Sequence, residues 1–212
     1  MSITNYSTRE VQFKIVLCGP PFAGKTTALR HLHANLDAAS VSEISTVTNG
    51  EDTTVSFDFV PRDTMLLDGF SIRTRVFTVP GKVTNDLYRK RVLRDTDGIM
   101  FVADSDLERQ EENLQSVKTI EEHLKKLGNP LDELPVVLLY NKRDIASAAP
   151  FQYLDFVLNN RKNRAPTFGA SANDGTNIFD ALRALANILV HRFISAELSN
   201  SFPAHEAGAP ED

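Results

Sequence analysis

Eight consecutive residues, Gly19-Pro20-Pro21-Phe22-Ala23-Gly24-Lys25-Thr26, have the spacing G-x-x-x-x-G-K-[ST]. A loop of this kind turns its backbone N–H groups inward and can cradle phosphate oxygens, helped by the positive end of the helix that follows. Lys25 then places a point charge at the β- and γ-phosphates, and the Thr26 hydroxyl can coordinate Mg²⁺. The pattern has meaning only between a strand and a helix, since elsewhere it is a glycine-rich turn. A second group, Asn141-Lys142-Arg143-Asp144, follows the apolar run 136–140 (VVLLY). A carboxylate there can accept two hydrogen bonds, from the N1–H and the amino group of guanine, and adenine offers no such pair. Alone this is a polar loop after a strand; downstream of a phosphate loop it becomes a base-recognition element. Ala170-Ser171-Ala172 follows the last predicted strand and can close over the base.

The elements that must position these residues are legible from periodicity. Residues 11–18 (VQFKIVLC) alternate and then turn apolar, as a strand entering a core does, and they lead straight into the glycine loop. Leu29, Leu32 and Leu36 form one stripe of a helix over 25–36. Residues 54–60 (TVSFDFV) alternate as a half-exposed strand, with 70–79 as the hairpin partner across 61–69. The continuous apolar runs 98–103 (GIMFVA) and 136–140 suit parallel strands covered on both faces. Between them Leu107, Leu114, Val117, Ile120, Leu124 and Leu127 keep helical spacing up to a stop at Gly128. A short helix over 151–158, a small strand at 166–170 and a last helix striped by Ile178, Leu182, Leu185 and Leu189 follow. Residues 37–53 are polar and aperiodic and read as a long loop. The order predicts an α/β domain with a mostly parallel six-stranded sheet and helices on both faces. The domain is expected over 1–194, with a disordered acidic tail over 195–212 whose Ser, Ala, Pro, Glu and Asp cannot bury enough to fold.

At 212 residues, 42% hydrophobic and 24% charged, the chain suits one domain with a full core. A net charge of −5 supplies no global basic field for nucleic acid or acidic lipid. The single cysteine, Cys18, excludes an internal disulfide and reads as a small core hydrophobe. No apolar run reaches the length of a membrane span and no signal or lipidation motif is visible, so a soluble cytoplasmic protein is expected. His31 and His33, two apart on a helix, share no face and make no metal pair. Tyr88-Arg89-Lys90-Arg91 with Arg94 is either a solvated helix face or a docking surface for acidic groups.

Further motifs complete a family pattern. Asn5-Tyr6-Ser7, Gly24-Lys25-Thr26-Thr27, Phe57-Asp58-Phe59-Val60-Pro61, Thr78-Val79-Pro80-Gly81, Arg89-Lys90, Phe101-Val102-Ala103-Asp104-Ser105 and Tyr140-Asn141-Lys142-Arg143-Asp144 occur in order. Together they resemble a Ras-type small GTPase and, more closely, the bacterial mutual gliding protein A (MglA-type) GTPases, over residues 2–193. The resemblance implies a Ras-like G domain binding GTP or GDP with Mg²⁺. Gly19, Pro21, Phe22, Ala23, Gly24, Lys25, Thr26 and Thr27 would line the phosphates. Thr78 and Gly81 would lie beside them, with Gly81 sensing the γ-phosphate. Thr54 would be the switch threonine that shares Mg²⁺ with Thr26, and Asn141, Lys142, Asp144, Ser171 and Ala172 would hold the base. It further implies front–rear polarity in motile cells, a roadblock-domain activating protein, effectors bound at a cell pole in the GTP form, and no nucleic-acid or integral membrane partner.

The sequence departs from this family where hydrolysis is performed. The family carries glutamine after T-V-P-G, and Lys82 stands there; it carries arginine before the switch threonine, and Thr53 stands there; Pro21 replaces a Ras-type glycine. A glutamine amide orients the attacking water by donating and accepting at once, whereas an ammonium only donates. Lys82 can rest against the γ-phosphate, helping the ground state about as much as the transition state. Lys82 and Thr54 are thus the candidate catalytic residues, and slow intrinsic hydrolysis is expected. A nucleotide-gated scaffold that stays GTP-bound is the alternative. A P-loop phosphotransferase is disfavoured by N-K-R-D.

Overall fold

The structure, a computed structural model, describes residues 3–49, 52–60, 69–80, 86–161 and 163–201. Eight strands and five helices are described: β1 (Ile3–Asn5), β2 (Glu10–Cys18), α1 (Lys25–Asn35), β3 (Ser45–Asn49), β4 (Asp52–Phe59), β5 (Ser71–Thr78), α2 (Asp86–Leu93), β6 (Gly98–Asp104), α3 (Gln110–Lys126), β7 (Val136–Asn141), α4 (Phe151–Leu158), β8 (Thr167–Gly169) and α5 (Ile178–Ser201). The sheet runs β3-β4-β5-β2-β6-β7-β8, with β1 on the free part of one β2 edge. From β5 to β8 every pairing is parallel; β1, β3 and β4 are antiparallel to their neighbours.

The centre of the sheet is buried on both faces, which explains the unbroken apolar runs. β6 and β7 have no residue exposed along their length. On one face Leu29 and Leu32 of α1 and Ile178, Leu182, Leu185 and Leu189 of α5 pack on Val11, Phe13, Ile15 and Leu17. On the other, Val92 and Leu93 of α2, Ile120 and Leu124 of α3, and Leu154 and Leu158 of α4 pack on Val16, Cys18, Ile99 and Phe101. Helix α3 stops where its glycine predicts. Gly128 takes φ +75°, which only glycine adopts without strain, and Asn129 N–H closes back on the Leu124 carbonyl at 3.0 Å. No helix among the described residues is long and apolar enough to cross a membrane.

Three expectations change. Eight strands replace six, because β1 and β3 are short edge strands without a buried alternating face. The segment 37–53 is not one loop. Residues 45–49 (STVTN) form β3 against β4, paired Val47 to Thr54 and Thr46 to Val55. β-branched polar residues suit an exposed edge strand but leave no apolar period to detect. Helix α5 continues to Ser201, past the boundary expected at 194, and the remaining tail residues 202–212 lie outside the described residues.

Parallel pairing carries the functional consequence. β2, β5, β6, β7 and β8 all end on the same side of the sheet: Leu17 pairs with Thr78, Cys18 with Phe101, Asp104 with Asn141 and Tyr140 with Gly169. The loops that follow these strands converge at one carboxyl edge, where open α/β sheets bind ligands.

Candidate nucleotide site

The glycine loop lies between β2 and α1, the context its motif requires. Gly19 has φ +141° and Gly24 φ +95°. A Cβ on Gly19 would stand 2.0 Å from the Val102 carbonyl oxygen, and one on Gly24 would stand 2.2 Å from Asn141 Nδ2. Both positions are closed to any side chain. Gly24 caps α1 without a side-chain hydrogen bond, so the first-turn N–H groups remain available to an anion. Ala23 is buried, Thr26 is half-buried and Thr27 exposed, while Phe22 is 69% exposed and held at φ +61°.

Lys25 is buried, its ammonium donating to the carbonyls of Gly19 at 2.9 Å and Pro20 at 2.6 Å. Carbonyl dipoles do not neutralise it. Burial lowers its pKa from the ordinary 10.5 to about 8, and the charge of Arg89 on α2 adds to the effect. A buried cation at a helix N-terminus with free first-turn amides is suited to phosphate oxygens, and these residues fit a nucleotide polyphosphate. The neighbouring Cys18 is pushed up to about 12 by burial and stays a neutral thiol, as its reading as a core hydrophobe expects.

The base loop is stitched to the phosphate loop by one side chain. Asn141 donates from Nδ2 to the Ala23 carbonyl at 2.7 Å and accepts at Oδ1 from Ala172 N–H at 2.8 Å. Arg143 N–H donates to the Ala170 carbonyl at 2.9 Å, fixing N-K-R-D against the Ala170-Ser171-Ala172 turn. Lys142, at φ +66°, pairs with the buried Asp104 carboxylate at 2.6 Å. Asp144 is exposed at the rim. It accepts from Asn173 Nδ2 at 3.0 Å, and its pKa is lowered first by its own backbone N–H and then by Asn173. It is therefore a carboxylate at neutral pH, as pairing with the guanine edge needs. Ser171 and Ala172 are buried beside it.

The remaining predicted residues are placed differently. The Thr78 side chain is engaged by β4. Its hydroxyl accepts from Val55 N–H at 3.0 Å and lies 3.4 Å from the Val55 carbonyl, locking the end of β5 to β4. Thr54, next to it in β4, is buried with its hydroxyl unpartnered among the described residues and makes no hydrogen bond to Thr26. Thr53 is exposed. Gly81 and Lys82 lie outside the described residues. Two contributors carried no signal of their own. Asp104 supplies the countercharge of Lys142, and Arg109, before α3, donates to the Pro21 carbonyl at 2.8 Å. Both depend on pairings between distant segments.

A phosphate loop after the first long strand of a mostly parallel sheet, joined through Asn141 to a base loop, defines a P-loop GTPase of the small, Ras-like kind. The profile of the ADP-ribosylation factor family matches residues 1–189. The chain is also 37% identical over 190 residues to the mutual gliding-motility protein MglA of Myxococcus xanthus (strain DK1622), covering 90% of this chain and 96% of that protein. The chain belongs to the ADP-ribosylation factor family, as an MglA-type small GTPase.

Proposed function

We propose that this protein is a guanine-nucleotide switch that hydrolyses GTP slowly and acts in cell polarity or motility through partners bound in the GTP state. The observation that carries the reading is the pair of hydrogen bonds made by Asn141 of the base loop, one to the Ala23 carbonyl in the phosphate loop and one from Ala172 N–H in the adjoining turn. It ties the loop that carries Lys25 to the loop that carries the ionised Asp144. Lys25 and the amides of α1 would hold the phosphates, Thr26 and Thr54 would share Mg²⁺, and Asn141, Lys142 and Asp144 would hold guanine. Mg²⁺ would neutralise charge on the β- and γ-phosphates.

Slow turnover is supported by Lys82 in the glutamine position and by Thr53 in the position of the built-in arginine. The same two residues favour a second reading, a GTP-held scaffold that does not turn over. A motility role rests on the similarity to MglA, whose name attaches it to gliding motility; a roadblock-domain regulator and polar effectors are proposed on the same ground. Titration calorimetry with GTP, GDP and ATP, followed by phosphate release from GTP-loaded protein, tests the proposal. Tight GTP and GDP binding, weak ATP binding and slow phosphate release are expected. Equal affinity for ATP and GTP would refute guanine recognition, and complete absence of phosphate release would favour the scaffold.

A further inference from the structure

The phosphate loop of this chain is short of donors and strained. Pro20 and Pro21 contribute no N–H, and Phe22 follows at φ +61°, a conformation costly for a bulky side chain. The Phe22 amide is therefore the first N–H after Gly19 in the loop. Every peptide bond described is trans, so the Pro21 carbonyl and the Phe22 N–H point in opposite directions. Rotation of that one peptide would relieve Phe22 and turn its N–H away from the phosphate.

Arg109 opposes this rotation. Its guanidinium donates to the Pro21 carbonyl at 2.8 Å and to Glu112 Oε2 at 2.5 Å. The residue is held firmly in place. It ends the short turn Leu107–Arg109, in which the Asp106 side chain accepts from Glu108 N–H at 3.1 Å and the Asp106 carbonyl accepts from Arg109 N–H at 3.0 Å. Asp106 is tied in turn to Asp104 Oδ1, and the Asp104 backbone to Asn113 of α3. A guanidinium fixed by a carboxylate and aimed at a carbonyl is a directed clamp.

We propose that Arg109 is a positioning residue that sets how long the protein holds its nucleotide, by fixing the Pro21–Phe22 peptide with the Phe22 N–H turned toward the β-phosphate. This deepens the nucleotide-switch reading and rests on it. The clamp acts on the phosphate loop and not on the base loop. Its loss should therefore speed release of GDP and GTP by similar factors while leaving binding of GMP, which has no β-phosphate, unchanged.

The test measures release of fluorescent GDP from the full chain with Mg²⁺, for wild type, Arg109→Gln and Arg109→Met, the last keeping the apolar stem. GMP affinity is measured alongside by competition. At least about tenfold faster GDP release in either folded variant, with GMP affinity and the melting temperature of the nucleotide-free protein unchanged, is the expected result. Release within twofold of wild type overturns the inference, and so does a proportional loss of GMP affinity, which would show a general structural defect. Wild type that binds no guanine nucleotide overturns the functional reading itself and this inference with it; tight wild type beside an unaltered variant overturns the inference alone.

Discussion

At the scale of single residues, Lys25 makes the most direct pH prediction. Its folded pKa of about 8 lies below the ordinary 10.5 because the charge is buried. A lysine depressed in the fold costs stability when charged, so the nucleotide-free protein should gain stability as pH rises from about 8 toward 10.5, where the unfolded chain holds the proton longer. Nucleotide binding has the opposite sign, since phosphate needs the ammonium. GDP affinity should fall by up to about tenfold between pH 8 and 9, with proton uptake on binding. Calorimetry in buffers of different ionisation enthalpy measures that uptake, and a pH-independent affinity would remove Lys25 from the phosphate site. Asp144 makes the specificity prediction: Asp144→Asn should shift preference from guanine toward xanthine nucleotides by more than about tenfold, read by competition binding. Lys82 makes the kinetic one. Intrinsic turnover is expected at or below the order of 10⁻⁴ s⁻¹. Lys82→Gln should raise single-turnover hydrolysis, while Lys82→Ala should weaken GTP binding with little change in rate. A clear loss of rate in the alanine variant would make this lysine a cationic finger instead.

At the scale of elements, the join between β4 and β5 depends on a side chain. The Thr78 hydroxyl is the partner of Val55 N–H, where T-V-P-G begins. Thr78→Val keeps the shape and leaves a buried amide unpaired, which should cost about 1–3 kcal/mol. For a chain of this size that corresponds to a melting temperature lower by about 2–4 °C per kcal/mol, measurable by circular dichroism. Since Thr54 is adjacent and its own hydroxyl is unpartnered among the described residues, the same variant should loosen the strand that carries the proposed switch threonine. An unchanged melting temperature would show that water takes over the bond.

At the scale of the whole molecule, α5 contributes Ile178, Leu182, Leu185 and Leu189 to one core face along a helix that reaches Ser201. Truncation after Ser201 removes only polar, acidic and small residues plus one phenylalanine, so melting temperature and GDP affinity should both stay unchanged. Truncation after 192 should instead lower stability, because it removes Phe193 and Ile194, which pack against the core from the last turns of α5. Thermal melts of the two truncated chains against the full chain separate these outcomes.

Two kinds of information built this protein, and they separate cleanly. The sequence alone determined the phosphate loop, the helix stripes, the doubly covered parallel strands, the stop at Gly128 and the family, because each is written in neighbouring residues or in a fixed order of short motifs. Local spacing sets local geometry, and glycines at positions 19 and 24 announce backbone that no other residue can adopt. The tertiary structure decided the rest. That Asn141 ties Ala23 to Ala172, that Lys142 leans on Asp104, that Arg109 grips Pro21 and that Thr78 serves β4 are pairings across tens of residues, set by which strand ends the parallel sheet brings side by side. β3 stayed hidden for a related reason: an edge strand that buries neither face has no hydrophobic period, and only its partner β4 makes it a strand.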